Sequence, residues 1–264
     1  SEGDIYAQHV LSNGYMLWGD EGQVIVERPG QQASPNICSD GFDGAYVIWK
    51  DNSQSAYGDI YATHLANEDA SEQVIEPGVG VPIITYPSYR SNPSLNTGGS
   101  GEAVLVWSDD RNADEDLYVQ RISFGNGTIN KEWDSDGKLV CDASGDQTSP
   151  RIAQYNGENT IVTWEDARNS NTDAYYQILD GNGNGQLAEN GEPACSGNWE
   201  IINPRVKAKN SVAYIVWEDR RNGWTSDIYA QKINSSGSIV WDGGLAISTA
   251  DGSQTEPRID TDGI

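Results

Sequence analysis

Three short strings recur in step along the 264 residues, and a chain built this way folds as copies of one module. The first string is Asp-Ile-Tyr-Ala-Gln, at Asp4 and Asp227, with variants at Asp59 (Asp-Ile-Tyr-Ala-Thr), Asp116 and Asp173. Its tyrosines, Tyr6, Tyr61, Tyr118, Tyr175 and Tyr229, are spaced by 55, 57, 57 and 54 residues. The second string is apolar-apolar-Trp-x-Asp, at Trp49, Trp107, Trp164 and Trp217. The third is Pro-x-apolar, at Pro35, Pro93, Pro150, Pro204 and Pro257. Proline leads tryptophan by 14, 14, 14 and 13 residues, and tryptophan leads tyrosine by 12, 11, 11 and 12.

Each unit reads as four short strands. The first follows the proline, which at a strand's first position removes no ladder bond. The second, as in Thr160-Ile-Val-Thr-Trp, is apolar on both faces and is predicted to be covered on both sides. The third is the Asp-Ile-Tyr-Ala-Gln string, rich in β-formers. The fourth lies near Leu139-Val-Cys or Leu245-Ala-Ile. Asn-Gly, Asp-Gly and Ser-Gly pairs separate the strands, and no segment keeps a helical period. Four strands in about 55 residues describe a propeller blade. The expected fold is therefore an all-β propeller of four-stranded antiparallel blades, a single domain over residues 1–264. Its units are 1–33 (partial), 34–91, 92–148, 149–202, 203–255 and 256–264 (partial).

The chain opens at a third strand, Asp4, and closes at a first strand, Pro257-Arg-Ile-Asp. If the two ends share a blade, its Trp-bearing strand is missing. That predicts either five blades with one depleted or, as the favoured reading, a fragment of a longer array.

Composition limits the partners. Lys and Arg number 16 against 40 Asp and Glu, a formal charge of -24, which argues against a nucleic-acid ligand. No apolar run is long enough for a membrane span. Nine Trp and 13 Tyr argue against disorder. The three cysteines, Cys38, Cys141 and Cys195, show no C-x-x-C pattern and read as small buried residues. His9 and His64 occupy one repeat position, filled elsewhere by Arg121, Ile178 and Lys232, and read as surface residues. A His-based nucleophile or metal site is thereby disfavoured.

Candidate binding residues are those that break the repeat or crown it. The motif Trp-x-Asp-x-Arg ends the second strand at Arg111, Arg168 and Arg221, and a clamp is expected from each Arg to the Asp opening the third strand. Trp224 stands outside the repeat beside Arg221, as a ring on which a sugar can stack. The longest departure from the repeat, Pro77 to Asn92, offers Tyr86, Tyr89 and Arg90 as a binding lip. Asp180-Gly-Asn-Gly-Asn-Gly begins like a calcium loop, with Asp180, Asn182 and Asn184 as candidate Ca2+ ligands, although position twelve is Gly191 rather than Glu.

The strings Asp227-Ile-Tyr-Ala-Gln, Ile215-Val-Trp-Glu-Asp-Arg and Ser149-Pro-Arg-Ile resemble a repeat of large secreted or surface-attached bacterial proteins. The resemblance spans nearly the whole chain. It implies a β-propeller in an extracellular or cell-surface setting and no particular activity. The leading functional expectation is a non-catalytic module for binding, adhesion or scaffolding, its partner a glycan or a protein surface, because repeated sites give avidity. The alternatives are a polysaccharide-active propeller enzyme, a glycoside hydrolase or lyase, and a purely structural spacer.

Overall fold

In the computed structural model, which describes residues 3–66 and 78–262, the β-branched and aromatic strings form nineteen strands. A two-stranded sheet comes first: β1 (Ile5–Ala7) with β2 (Gln23–Val26). Four antiparallel sheets follow in chain order. The first complete blade is β3 (Gln32–Ser39), β4 (Ala45–Asp51), β5 (Asp59–Leu65) and β6 (Val81–Ile84). The second is β7 (Arg90–Gly99), β8 (Glu102–Asp109) and β9 (Asp116–Gly125), with its outer edge shared by β10 (Thr128–Lys131) and β11 (Lys138–Cys141). The third is β12 (Gln147–Asn156), β13 (Asn159–Asp166), β14 (Asp173–Leu179) and β15 (Glu192–Cys195). The fourth is β16 (Ile201–Lys209), β17 (Val212–Asp219), β18 (Asp227–Ile233) and β19 (Leu245–Ser248). The fold is a β-propeller of four-stranded antiparallel blades.

The tryptophans hold successive blades together. Trp49, Trp107, Trp164 and Trp217 are wholly buried. Each pairs in register with the tyrosine of its own third strand, Trp164 with Tyr175 for example. Each also packs against the preceding sheet: Trp107 joins Ile48 and Ile60, and Trp164 joins Val104 and Val119. Burying one such ring contributes about 3 kcal/mol. The indole edge lies over a glycine that opens the fourth strand, Gly80, Gly137, Gly191 or Gly244. A Cβ at Gly191 would stand 2.4 Å from the Trp164 ring, so only glycine fits there.

The innermost strands β3, β7, β12 and β16 pack on one another in chain order. They begin before the proline rather than after it, as the sequence had suggested. The residue ahead of each proline, Ser34, Asn92, Ser149, Asn203 or Glu256, has φ between 50° and 54°, uncommon without glycine. In the four complete blades the register slips there, as between Thr148 and Arg151. The proline therefore sits at a bulge, where its missing N–H costs nothing.

His64 differs from its surface expectation. It is buried, bonds Asp40 at 3.0 Å and stacks on Phe124 at 4.5 Å. Burial works to raise the Asp40 carboxyl, but the N–H groups of Phe42 and Gly44 and the His64 ring outweigh it and hold the carboxyl below its usual range. Cys141 and Cys195 are buried free thiols, and Cys38 is half-buried.

Candidate functional site: an arginine cluster at the inner strands

The bulges aim four of the five residues after the repeat prolines at one shared space; the fifth, Ser94, is buried. An open cavity of about 440 Å³ is lined by Ser34, Asn36, Asn92, Pro93, Arg151, Arg205 and Arg258, drawn from all five inner segments. The residues after proline are Asn36, Ser94, Arg151, Arg205 and Arg258. The scaffold repeats there, but the chemistry does not: three adjacent positions are cationic and two are neutral.

The three arginines are unlike the rest. The chain has ten, and Arg28, Arg90, Arg111, Arg121, Arg168, Arg220 and Arg221 all form salt bridges. Arg151, Arg205 and Arg258 instead each donate to the carbonyl of their own proline, at 2.7, 3.0 and 3.0 Å, and none forms a salt bridge among the described residues. Burial and then the neighbouring Arg205 pull the Arg151 guanidinium down to about 10. Burial and then Arg258 lower Arg205 in the same direction. Glu165, Glu218 and Glu256 offset part of this from a distance, and three convergent forks, none in a salt bridge among the described residues, match the geometry of a carboxylate.

Carboxylates brace the rim around them. Glu165 accepts the Asn203 N–H at 2.7 Å, and Glu218 accepts the Glu256 N–H at 2.9 Å and the Asn203 side-chain amide at 2.7 Å. These bonds hold the left-handed residues in place. Glu115, half-buried, takes a 2.9 Å hydrogen bond from Ser91, the residue before Asn92 of the cavity wall. Burial raises the Glu115 carboxyl; the Ser91 bond opposes this, and Asp146 and Asp110 add to the rise.

The residues singled out in the sequence lie elsewhere: Tyr86, Arg90 and Arg111 meet one another, apart from Arg221, Trp224 and the Asp180 loop. Arg221 is bound to Asp219 at 2.7 Å and its guanidinium lies 3.8 Å over the Tyr229 ring. Arg111 and Arg168 repeat the arrangement. The clamp thus reaches back two residues instead of across to the third strand, and Asn112, Asn169 and Asn222 bond the Asp expected for the arginine. Arg90 is no part of a lip: it is fully buried, 3.1 Å from Asp59 and 3.7 Å from Asp109. Tyr86 and Tyr89 are exposed, Tyr86 beneath Arg111 and Tyr89 edge-on to Tyr57, while Pro77 lies outside the described residues. Trp224 is fully exposed. Asp180 accepts the N–H groups of Asn182 and Asn184, both at 2.9 Å, and the Asn184 side chain at 3.3 Å, which closes the loop on itself. Among the described residues no group of three or more His, Cys, Asp or Glu is placed to hold a metal ion.

The chain is similar in fold to a Hadza microbial sialidase, with TM-score 0.53 and 12% identity over 94% of this chain and 53% of that one. A protein of unknown function from Dyadobacter fermentans gives TM-score 0.53 and 9% identity over 82% and 70%. A glycosyl hydrolase from Bacteroides ovatus gives TM-score 0.46 and 9% identity over 90% and 76%. At such identities the first two likenesses show the fold alone. No protein-family model matches the chain, and no curated protein is similar to it.

The leading expectation, a non-catalytic binding, adhesion or scaffold module, is corrected by these findings. It rested on repetition, yet propellers of this kind include a sialidase, and the residue after the proline is not the same in every copy. The signal lay in the sequence as Pro-Asn, Pro-Ser, Pro-Arg, Pro-Arg and Pro-Arg, hidden because the surrounding string is so regular. Among the described residues no helix is long and apolar enough to cross a membrane.

Proposed function

We propose that the protein is a carbohydrate-active propeller that cleaves glycosidic bonds in an acidic glycan, with the sugar carboxylate held by Arg151, Arg205 and Arg258. The observation that carries this reading is the convergence of these three unpaired cations on one cavity in a chain of net charge -24. Burial first and Arg205 second depress Arg151, and a bound carboxylate offsets both. The sialidase of similar fold supports the choice of an acidic sugar, since sialic acids carry a carboxylate. Neutral Ser34, Asn36 and Asn92 leave the other side of the cavity to sugar hydroxyls.

Glycoside cleavage needs a carboxyl group that gives up a proton to the leaving oxygen. Glu115 suits that part, because burial and neighbouring carboxylates raise it and Ser91 orients it. Glu165 and Glu218 are committed to backbone N–H groups and act as positioning residues. An extracellular or cell-surface setting goes with such a substrate, and the lysine-poor acidic composition supports it.

The test is product analysis by mass spectrometry on oligosaccharides ending in uronate or sialate, beside neutral ones of equal length. The acidic set is cleaved, and Arg151→Met/Arg205→Met lowers kcat/KM by about 100-fold or more. Equal turnover of neutral glycans by the wild type and the double variant overturns the reading, as does failure to cleave any acidic glycan.

A further inference from the structure

We infer that Tyr57, Tyr86 and Tyr89 form a platform for the leaving sugar, so that the substrate joins its acidic unit to a neutral sugar whose ring stacks on Tyr89. This inference rests on the reading of the arginine cavity as a carboxylate site and of Glu115 as the proton donor.

The three tyrosines belong to one part of the ring only. The positions that match Tyr89, directly ahead of the inner strand, hold Gln31, Asp146, Glu200 and Ser253. Those that match Tyr57, two residues ahead of the third strand, hold Asp114, Asn171 and Thr225 in the other complete blades. Tyr57, Tyr86 and Tyr89 are 38%, 40% and 55% exposed, and the rings of Tyr57 and Tyr89 meet edge to face at 5.2 Å.

A buried residue sets them out. The inner strands β3 and β12 begin with Gln32 and Gln147, but β7 begins with Arg90. The Arg90 guanidinium donates to the Tyr86 carbonyl, and the Arg90 backbone N–H donates to the Tyr57 carbonyl at 3.3 Å. The Tyr89 carbonyl accepts the Asp110 N–H at 3.1 Å, and the Tyr89 N–H donates to the Asp110 carboxylate at 2.7 Å. Arg111 lies 4.7 Å from the centre of the Tyr86 ring. The backbone under each ring is thus fixed before a ligand arrives, which lowers the ordering cost of binding.

The platform lies on the proton donor's side of the cavity. The bond from Asp110 to Tyr89 continues the β7–β8 pairing one residue past Arg90 and Asp109. Tyr89 and Ser91 therefore point to the same side of the strand, about 7 Å apart along it, with Arg90 buried on the other. Ser91 holds Glu115 at 2.9 Å, and the next two residues, Asn92 and Pro93, stand in the cavity wall. An acid that protonates the leaving oxygen has the leaving group beside it. With the sugar carboxylate at the arginines and the leaving oxygen at Glu115, the leaving sugar meets Tyr89, whose ring face suits the apolar face of a sugar. The Asp110 carboxylate bound to the Tyr89 backbone disfavours a second acidic unit there.

The probes are the methyl glycosides of glucuronate and sialate, and the same acids linked to lactose, with products followed by mass spectrometry. The readout is kcat/KM for the lactose-linked acid divided by that for its methyl glycoside. Tyr89→Ala is expected to lower this ratio about tenfold, while Tyr89→Phe keeps it. Both variants keep the wild-type melting temperature, because the ring is exposed. An unchanged ratio in Tyr89→Ala overturns the inference and leaves the reading of the cavity standing. A ratio as low in Tyr89→Phe as in Tyr89→Ala also overturns it, since the hydroxyl and not the ring face would then make the contact. Cleavage of neither acid overturns both.

Discussion

Trp164 donates its indole N–H to the carboxylate of Asp166, two residues further along the same strand, at 2.7 Å. The same carboxylate accepts Arg168 through Nε and Nη2, both at 2.7 Å. Trp107, Asp109 and Arg111 repeat this, as do Trp217, Asp219 and Arg221. One buried acid thus satisfies the polar atom of the inter-blade wedge and orients the cation that covers the next tyrosine.

Removing that acid leaves an indole N–H and a guanidinium without their acceptor. Asp166→Ala is expected to cost about 3 kcal/mol or more, read as the midpoint shift in urea denaturation. A shift under about 1 kcal/mol would mean that water replaces the carboxylate.

The clamp also sets a pH response. At Asp219, burial raises the carboxyl, but the bonds from Arg221 and Trp217 outweigh it and hold the group below its usual range. A lowered carboxyl contributes stability above its unfolded pKa of about 3.9. That contribution fades as pH falls through the lower folded value. The stability gap between the wild type and Asp219→Asn is therefore expected to be constant above about pH 5 and to shrink below about pH 4. Denaturation midpoints across pH 2.5–7 check the sign.

The glycine beneath each indole makes a steric prediction. Gly191→Ala places a methyl 2.4 Å from the Trp164 ring at φ +78° and is expected to cost about 2–4 kcal/mol. Gly127→Ala has the same φ but open space around it, and is expected to cost about 1 kcal/mol. Thermal melts of the two variants separate crowding from backbone strain.

At the arginine cavity, binding and stability pull in opposite directions. Because burial and Arg205 lower Arg151 to about 10, its charge is held at a cost to the folded state at neutral pH. Arg151→Met should leave the melting temperature unchanged or raised while weakening acidic glycans. For the wild type, affinity for such a glycan should fall as pH rises through about 10, when Arg151 loses its proton. Calorimetric titrations at pH 8 and 10.5 make the comparison.

Trp224 is exposed on every side, so Trp224→Ala should move stability by less than about 0.5 kcal/mol. If its ring stacks on glycan, affinity for long chains falls about tenfold while that for short ones stays constant. Matching affinities for the variant and the wild type on long chains remove Trp224 from the site.

Most of the architecture is legible in the sequence, because the blade is specified locally. The Pro, Trp and Tyr spacings fix strand lengths, and an apolar second strand calls for a sheet on each side. What escaped was set by three-dimensional convergence. The left-handed residue before each proline leaves no composition signal, since Ser, Asn and Glu all occupy it. The arginines that follow read as ordinary strand residues until the five inner segments are brought together. The Asp-to-Arg clamp was misplaced because a two-residue reach along one strand is open to Arg as readily as a hairpin crossing. Arg90 looked like a loop residue, yet it fills the position between Asp59 and Asp109 from within.

The kink ahead of every proline has a further consequence. It turns the next side chain away from the packed layers, so that position is relieved of any duty to hold the molecule together. Asn36, Arg151, Arg205 and Arg258 can then be exchanged one at a time, as letters in a four-letter word written on an unchanging page, and a lineage built on this plan can respell its ligand without redesigning the scaffold.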